Sequence, residues 1–354
     1  MSRHLVKLWS RQMDISLQKT IVFIFFIFIG FLLKTKLKSN EDIAGIKKII
    51  LNLALPATIF IALLGVEVEL GLLLLPLLAL ALNLLMFLVF PFILPFLGIK
   101  RNTAKFRTAS LLVPSLAPGL SCFPFVLEFL GEDYLAKAAM ADLGNKIFVL
   151  VFLYVVAMAL YFRLNGKTQK NKSANIVPML KAMVSEPVNI FIIVALLLLF
   201  LGLNMNSLPF VFSETLQKLS LIMTPLVLLF IGLAVKIKRN QFFQIFSLLV
   251  LRAGVVFLIA GLVVLMSGLL IANDILLLLA FGLSACSFWP YAHISAVDAL
   301  ESNTGGEVKT FDSNYAISVL ALSFPLSTVL ILGVLNSGQL LTNVQNIFLV
   351  SLIC

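Results

Sequence analysis

The chain has 354 residues, 61% hydrophobic and only 12% charged, with 26 basic against 16 acidic side chains and a net charge of +10. Its mean hydropathy of +1.11 excludes an ordinary soluble domain, in which roughly a quarter of residues are charged. The basic excess does not point to nucleic acid, because Lys and Arg sit in short stretches between apolar runs rather than on one polar face.

Cutting the sequence wherever charges or turn residues interrupt apolar stretches near the ~20 residues that cross a bilayer predicts ten spans. They are 17–37, 43–66, 70–97, 108–130, 134–162, 187–203, 216–235, 242–270, 275–299 and 311–335. The first lacks a small-residue cleavage site and is followed by lysines, which reads as a retained span rather than a cleaved signal. Basic residues follow span one (Lys34, Lys36, Lys38, Lys47, Lys48), span three (Lys100, Arg101, Lys105, Arg107), span five (Arg163, Lys167, Lys170, Lys172, Lys181) and span seven (Lys236, Lys238, Arg239). By the positive-inside rule these loops are cytoplasmic, which places both termini outside and the chain in a cell (inner) membrane. Arg3, Lys7, Arg11 and Lys19 do not fit this scheme and suggest a short interfacial helix.

Two phrases carry a proline inside a long apolar segment: LSCFPFV at 120–126 and CSFWPYA at 286–292. Ser121 and Ser287, Phe123 and Trp289, Pro124 and Pro290, and Phe125 and Tyr291 are each 166 positions apart. Pro56 and Pro225 are 169 apart, and Asp142 and Asp312 are 170 apart. The fold expected is therefore all-α and polytopic, about ten transmembrane helices arranged as two five-helix repeats with broken, crossing helices four and nine. Its parts are a first repeat at 1–163, a cytoplasmic linker at 164–186, a second repeat at 187–335 and a tail at 336–354. An odd number of spans per repeat inverts the second one. The loop charges agree: Glu67 and Glu69 follow span two whereas Lys236, Lys238 and Arg239 follow span seven, and four basic residues follow span three whereas only Asp274 follows span eight. Inverted repeats with interrupted helices mark alternating-access carriers.

The residues in this order resemble the auxin efflux carrier family of membrane permeases, within the larger group of bile acid, arsenite and bicarbonate carriers. The resemblance runs through Leu55–Pro56 in span two, the proline-bearing fourth span with Gly131 to Asp133 and Asp142 beyond it, Glu186–Pro187 at span six, TPLVLLFIGL from Thr224 to Leu233, and Pro290 in span nine. It implies a scaffold of spans one, two, six and seven, and a moving transport unit of spans three to five and eight to ten whose broken helices cross at the site. Where the family's fourth span commonly reads Asn-x-Gly-x-x-Gly-x-Pro, this chain has Ala117, Gly119, Cys122 and Pro124. The missing asparagine amide leaves the usual grip on the solute open.

Ionisable groups inside a bilayer are few and expensive. The candidates are Glu128, Asp142, Lys146, Arg252, His293, Asp298 and Asp312. Pro124 and Pro290 would free carbonyls upstream and helix amides downstream for a solute, or form kinks resolved by Ser121, Ser284 or Ser287. Asp142 and Lys146 either neutralise each other at i,i+4 or serve coupling and substrate, with Asp312 as the mirrored carboxylate; either aspartate could equally cap a helix. Arg252 lies about ten residues into span eight and either snorkels or meets an anion or an aspartate. His293 could relay protons or bond a neighbouring carbonyl, and its H-x-x-x-x-D spacing to Asp298 forms no dyad on a continuous helix. Asn145, Asn314 and Tyr315 offer uncharged hydrogen bonds, and Asn83 reads as packing glue. The substrate-binding set is thus Ala117, Gly119, Ser121, Cys122, Pro124, Asn145, Arg252, Ser287, Pro290, His293 and Asn314, with Asp142, Lys146 and Asp312 as coupling residues.

Cys122, Cys286 and Cys354 form no metal or disulfide pattern, and no cofactor is expected beyond proton or sodium coupling. The expected function is a secondary permease for a small organic, carboxylate-type anion, working in the lipid bilayer without nucleic acid, with a homodimer left open. The alternatives are a passive channel or membrane sensor and, behind them, an intramembrane enzyme, for which no H-E-x-x-H, G-x-S-x-G or phosphate-loop motif appears.

Overall fold

A computed structural model describes residues 3–37, 39–65, 70–164, 185, 187–234, 241–267, 271–304 and 309–354. The linker expected around 165–184 and the charges at Glu67, Glu69, Lys236, Lys238 and Arg239 lie outside the described residues.

The described chain is all helix. α1 is Arg3–Leu33. α2 (Asn40–Ile49) runs through a π turn at Ile50–Ala54 into α3 (Leu55–Leu64), and α4 is Leu70–Ile93. Then come α5 (Ala104–Leu112), α6 (Pro118–Ser121), α7 (Phe123–Leu130) and α8 (Glu132–Lys146), the last continuing through a π turn at Ile147–Phe152 into α9 (Leu153–Leu164). The rest are α10 (Pro187–Phe200), α11 (Phe210–Leu221), α12 (Met223–Ala234), α13 (Phe242–Ser267), α14 (Ala272–Gly282), α15 (Phe288–Thr304), α16 (Ser313–Asn336) and α17 (Val344–Ile353).

Among the described residues, six helical stretches are long and apolar enough to cross a membrane: Glu41–Leu64, Gly71–Leu97, Glu132–Leu164, Phe210–Leu233, Phe242–Ser267 and Ser313–Asn336. Four more, Gln18–Leu33, Pro187–Phe200, Ala272–Gly282 and Val344–Ile353, are apolar but shorter. Continuous helix is what such sequences must form in hydrocarbon, because each backbone amide then finds its partner within the segment. Leu77, Leu78, Leu88 and Phe92 on α4, and Phe25, Phe28 and Phe31 on α1, stand exposed. Bare rows of this kind suit a lipid surface and would be costly in water.

Glycines set the closest approaches. A β-carbon on Gly144 of α8 would lie 1.8 Å from the Pro76 carbonyl oxygen on α4, and one on Gly232 of α12 would lie 2.0 Å from the Ile27 carbonyl oxygen on α1. Small residues let these backbones touch where apolar burial gives no drive for helix association.

The segments expected as spans four and nine are both interrupted, though not where the prolines stand. α5 ends at Leu112 and the chain is unwound over 113–117; α14 ends at Gly282 and it is unwound over 283–287. Pro124 is the second residue of α7 and Pro290 the third of α15. Proline is tolerated in a first turn, where its missing N–H would have no helical partner anyway. The two unwound stretches are 170 positions apart, so the 166-position phrase pairing is not the structural register. Pro56 and Pro225 also differ locally: Pro56 sits in continuous helix just after the Ile50–Ala54 π turn, whereas Pro225 opens α12 after a break at Ile222.

The stretch expected as a tail contains α17, which packs along α13. There the Ser351 hydroxyl donates to the Gly254 carbonyl at 2.8 Å, and a β-carbon on Gly261 would meet the Phe348 ring at 2.9 Å. At the other end, the basic residues at 3–19 belong to the single long helix α1 rather than to a separate short one.

Candidate functional site at the crossing of two unwound segments

The unwound segments hydrogen-bond directly to one another. The Ala117 amide donates to the Ala285 carbonyl at 2.8 Å, the Ala285 amide to the Ser121 hydroxyl at 2.9 Å, and the Ser287 amide to the Ser115 hydroxyl at 3.0 Å. Side chains from elsewhere satisfy what the two segments leave over. Arg252 of α13 donates from Nε to the Val113 carbonyl at 2.8 Å and from its terminal nitrogen to the Ser115 carbonyl at 3.3 Å. Asn145 of α8 donates to the Leu116 carbonyl at 3.0 Å, and the Ser323 hydroxyl of α16 accepts from the Cys286 amide at 3.3 Å. The Ser327 hydroxyl donates to the Leu283 carbonyl. Buried main-chain groups stranded without partners would cost a few kcal/mol each, so this bracing is what allows irregular backbone deep among apolar helices.

A buried polar chain runs beside the crossing. Asn83 of α4 donates to the Asn145 side-chain oxygen at 3.0 Å, Asn145 donates to Asp142 at 2.8 Å, Asp142 faces the Lys146 ammonium at 3.4 Å, and Lys146 donates to Asn189 of α10 at 2.8 Å. All five side chains are buried. The Asn83 oxygen accepts no hydrogen bond, so a buried acceptor is left over at one end of the chain.

A cavity of about 180 Å³ opens between the unwound segments and this chain. Lys47, Leu51 and Leu55 of the α2–α3 helix and Val188 of α10 form one wall. The facing wall comes from Leu116 to Leu120, from Asp142, Asn145, Lys146 and Val149, and from Ser287, Phe288 and Trp289. Two lysines and one aspartate line it, leaving one formal positive charge in excess. The Lys47 ammonium lies 4.7 Å from the Phe288 ring centroid, within cation–π reach. Ser287 and Phe288 also bring the first turn of α15 to the cavity, and first-turn amides lack helical partners and carry a partial positive charge.

Of the residues singled out from sequence, Ala117, Gly119, Asp142, Asn145, Lys146 and Ser287 meet around this cavity. Ser121, buried behind it, braces the crossing, while Cys122 is buried at the kink between α6 and α7. Pro124 and Pro290 start helices and do not line it. Arg252 is 4% exposed and spends its guanidinium on the two carbonyls, meeting no aspartate. A ring nitrogen of His293 lies 2.8 Å from the Val149 carbonyl, which belongs to the π turn after α8. Asn314 is exposed on the first turn of α16.

Asp312 caps α16, accepting from the Tyr315 amide at 2.9 Å, so it supplies no mirrored carboxylate to the cavity. Asp298 accepts from the Ser313 hydroxyl, and Glu128 pairs with Lys19 at 3.3 Å. Sequence reasoning missed three contributors. Lys47 reads from sequence as a loop charge, although an apolar helix follows it; Asn189, two residues past Pro187 in an apolar run, is a visible polar outlier; Ser115 gives no signal of its own. Asn83, bonded from α4 to Asn145 of α8, joins two helices as packing glue would and is the first link of the buried chain.

No protein-family model matches the chain, and comparison with curated protein sequences gives no match either.

Proposed function

We propose that the chain is a secondary permease that carries a small organic anion of carboxylate type by alternating access. The observation that carries this reading is the cavity at the crossing, with its two lysines, one aspartate and an adjoining helix N-terminus. Anions suit that combination, because both ammonium groups and the α15 amides present positive charge while Asp142 offsets only one unit. At about 180 Å³ the cavity is well above the ~10–15 Å³ that admits one water and is room for a compact solute rather than a large amphiphile.

The lining also supports an alternating mechanism. One wall belongs to spans two and six and the other to spans four, five and nine, the two groups that the resemblance to auxin efflux carriers assigns to scaffold and transport unit. A solute held there touches both, so sliding one group past the other would carry it across. In this proposal the ten spans expected from the sequence form two inverted five-helix repeats, with the basic loops cytoplasmic and the termini outside. Asp142, held between Asn145 and Lys146, is the carboxylate through which a proton or sodium ion would be coupled. Arg252, His293 and Asp312 then act by holding the fold.

The test is an uptake screen with purified protein in liposomes, over dicarboxylates, indole acids and bicarbonate, with and without a proton or sodium gradient. Saturable uptake of at least one carboxylate, lost in Lys47→Gln, is the expected result. Absence of saturable uptake across the panel would contradict the proposal.

A further inference from the structure

A second, larger cavity of about 600 Å³ lies between α1, α11 and α12 on one side and α3, α7 and α8 on the other. Lys19 of α1, Thr58 of α3, Glu128 of α7, Glu132 of α8 and Thr224 of α12 line it. Val22, Phe23, Phe26, Leu127, Leu221, Pro225 and Leu228 complete the wall, so these polar groups stand in a lining that is more apolar than polar.

Two helices, α3 and α8, line both cavities and the consecutive pair α6 and α7 lines one each, and along each of these paths the two linings are displaced. On α3 the smaller cavity ends at Leu55 and the larger begins at Thr58, three residues or about 4.5 Å of helical rise away. On α6–α7 the corresponding positions are Leu120 and Leu127, and on α8 they are Asp142 and Glu132. The two linings come closest in sequence on α3, where only Pro56 and Ala57 stand between Leu55 and Thr58. Leu55 is 2% exposed, and its Cδ2 would lie 3.1 Å from a β-carbon at Gly119. The absent side chain at Gly119 is what gives Leu55 its seat.

We infer that the larger cavity is the opposite mouth of the same solute path, and that Leu55 seated on Gly119 is the barrier between the two mouths. The inference rests on the permease reading and adds to it a second access site and a gate residue. Across the larger mouth Lys19 ties α1 to α7, donating to the Glu128 carbonyl at 2.7 Å and facing its carboxylate at 3.3 Å. The links between the two groups thus include this half-exposed pair, ring packing of Phe23 on Phe125 and Phe129, the buried Lys146–Asn189 hydrogen bond and the apolar contact at Leu55. An exposed pair holds weakly, on the order of 0–1 kcal/mol, so it can part as the units move.

Sided thiol labelling tests this without knowledge of the solute. Thr224→Cys and Ala117→Cys are introduced separately into a Cys354→Ser parent, whose remaining Cys122 and Cys286 are buried. Each protein is exposed to a membrane-impermeant methanethiosulfonate from one face of sealed vesicles and then from the other. The expected result is labelling of the two positions from opposite faces only, with sidedness lost when Leu55→Ala is added. Leu55→Val, a smaller truncation, should relax sidedness in the same direction, and each variant without an introduced cysteine controls for newly exposed native thiols. Labelling of both positions from the same face overturns the two-mouth path. Retained sidedness in folded Leu55→Ala and Leu55→Val overturns the barrier. Opposite-face labelling together with failed carboxylate uptake would leave the path standing and overturn the permease reading alone.

Discussion

Arg252 donates from Nε to the Val113 carbonyl at 2.8 Å, so a cation buried in one long helix holds open the break in another. The second bond, to Ser115, makes the guanidinium the C-terminal cap of α5, where a positive charge also meets the negative end of the helix dipole. Arg252→Leu removes both donors and strands two buried acceptors at roughly 1–3 kcal/mol each. The thermal unfolding midpoint in detergent should drop clearly, and Arg252→Lys should recover only part of the loss because an ammonium cannot fork. Equal midpoints for the parent and Arg252→Leu would remove this capping role.

The Ser121 hydroxyl accepts from the Ala285 amide at 2.9 Å and donates to the Ala117 carbonyl at 2.8 Å, stitching one unwound segment to the other. Ser121→Ala strands the buried Ala285 amide and should cost about 1–3 kcal/mol, the penalty for a buried donor left unsatisfied. Hydrogen exchange should rise at the Ala285 amide specifically. Unchanged protection at Ala285 would mean that the crossing does not depend on this bond.

Asp142 and Lys146 are coupled, so their replacements should not add. Asp142→Asn leaves an uncompensated ammonium, and Lys146→Met leaves an uncompensated carboxylate. The double variant removes both charges and should be more stable than the sum of the singles suggests, with an interaction energy of about 0.5–3 kcal/mol in a double-mutant cycle. Additive losses would show that the 3.4 Å pair carries no energy. Asp142→Asn should also abolish uptake while the protein still folds; unchanged uptake would take Asp142 out of coupling.

Gly144 and Gly333 should respond to alanine with opposite signs. At Gly144 the new methyl would lie 1.8 Å from the Pro76 carbonyl oxygen, forcing α4 and α8 apart at a cost of about 1–3 kcal/mol. At Gly333 of α16 nothing lies within 4 Å, and alanine should stabilise by about 0.5–1 kcal/mol through helix propensity. Paired thermal unfolding of the two variants reads the difference directly, and a Gly144→Ala as stable as the parent would refute the close approach.

The membrane-like helices were legible because hydropathy and length are local properties, and 70–97 or 242–267 stand out on any window. The existence of two breaks was also legible, from prolines inside apolar runs. Their position was not. Unwinding occurs at 113–117 and 283–287 because Arg252, Asn145, Ser115 and Ser323 arrive from distant parts of the chain to satisfy the freed backbone, and no local pattern records that. The 166-position phrase matched residue types in two first turns that are not in register. Asp312 shows a further limit: a carboxylate just before a helix reads as well for a cap as for a site, and contact with the Tyr315 amide decides it. The ten-residue α17 falls well short of the ~20 residues that mark a span, so hydropathy passed over it.

The most direct test of the central claim is solute counterflow in proteoliposomes, comparing the parent with Ala117→Trp, which would fill the cavity at the crossing. With a carboxylate that passes the uptake screen, preloaded solute should accelerate entry of labelled solute through the parent, and Ala117→Trp should abolish the acceleration while remaining folded. Absence of acceleration in the parent, or acceleration of equal size in Ala117→Trp, would contradict a carrier whose site lies where the two unwound segments meet.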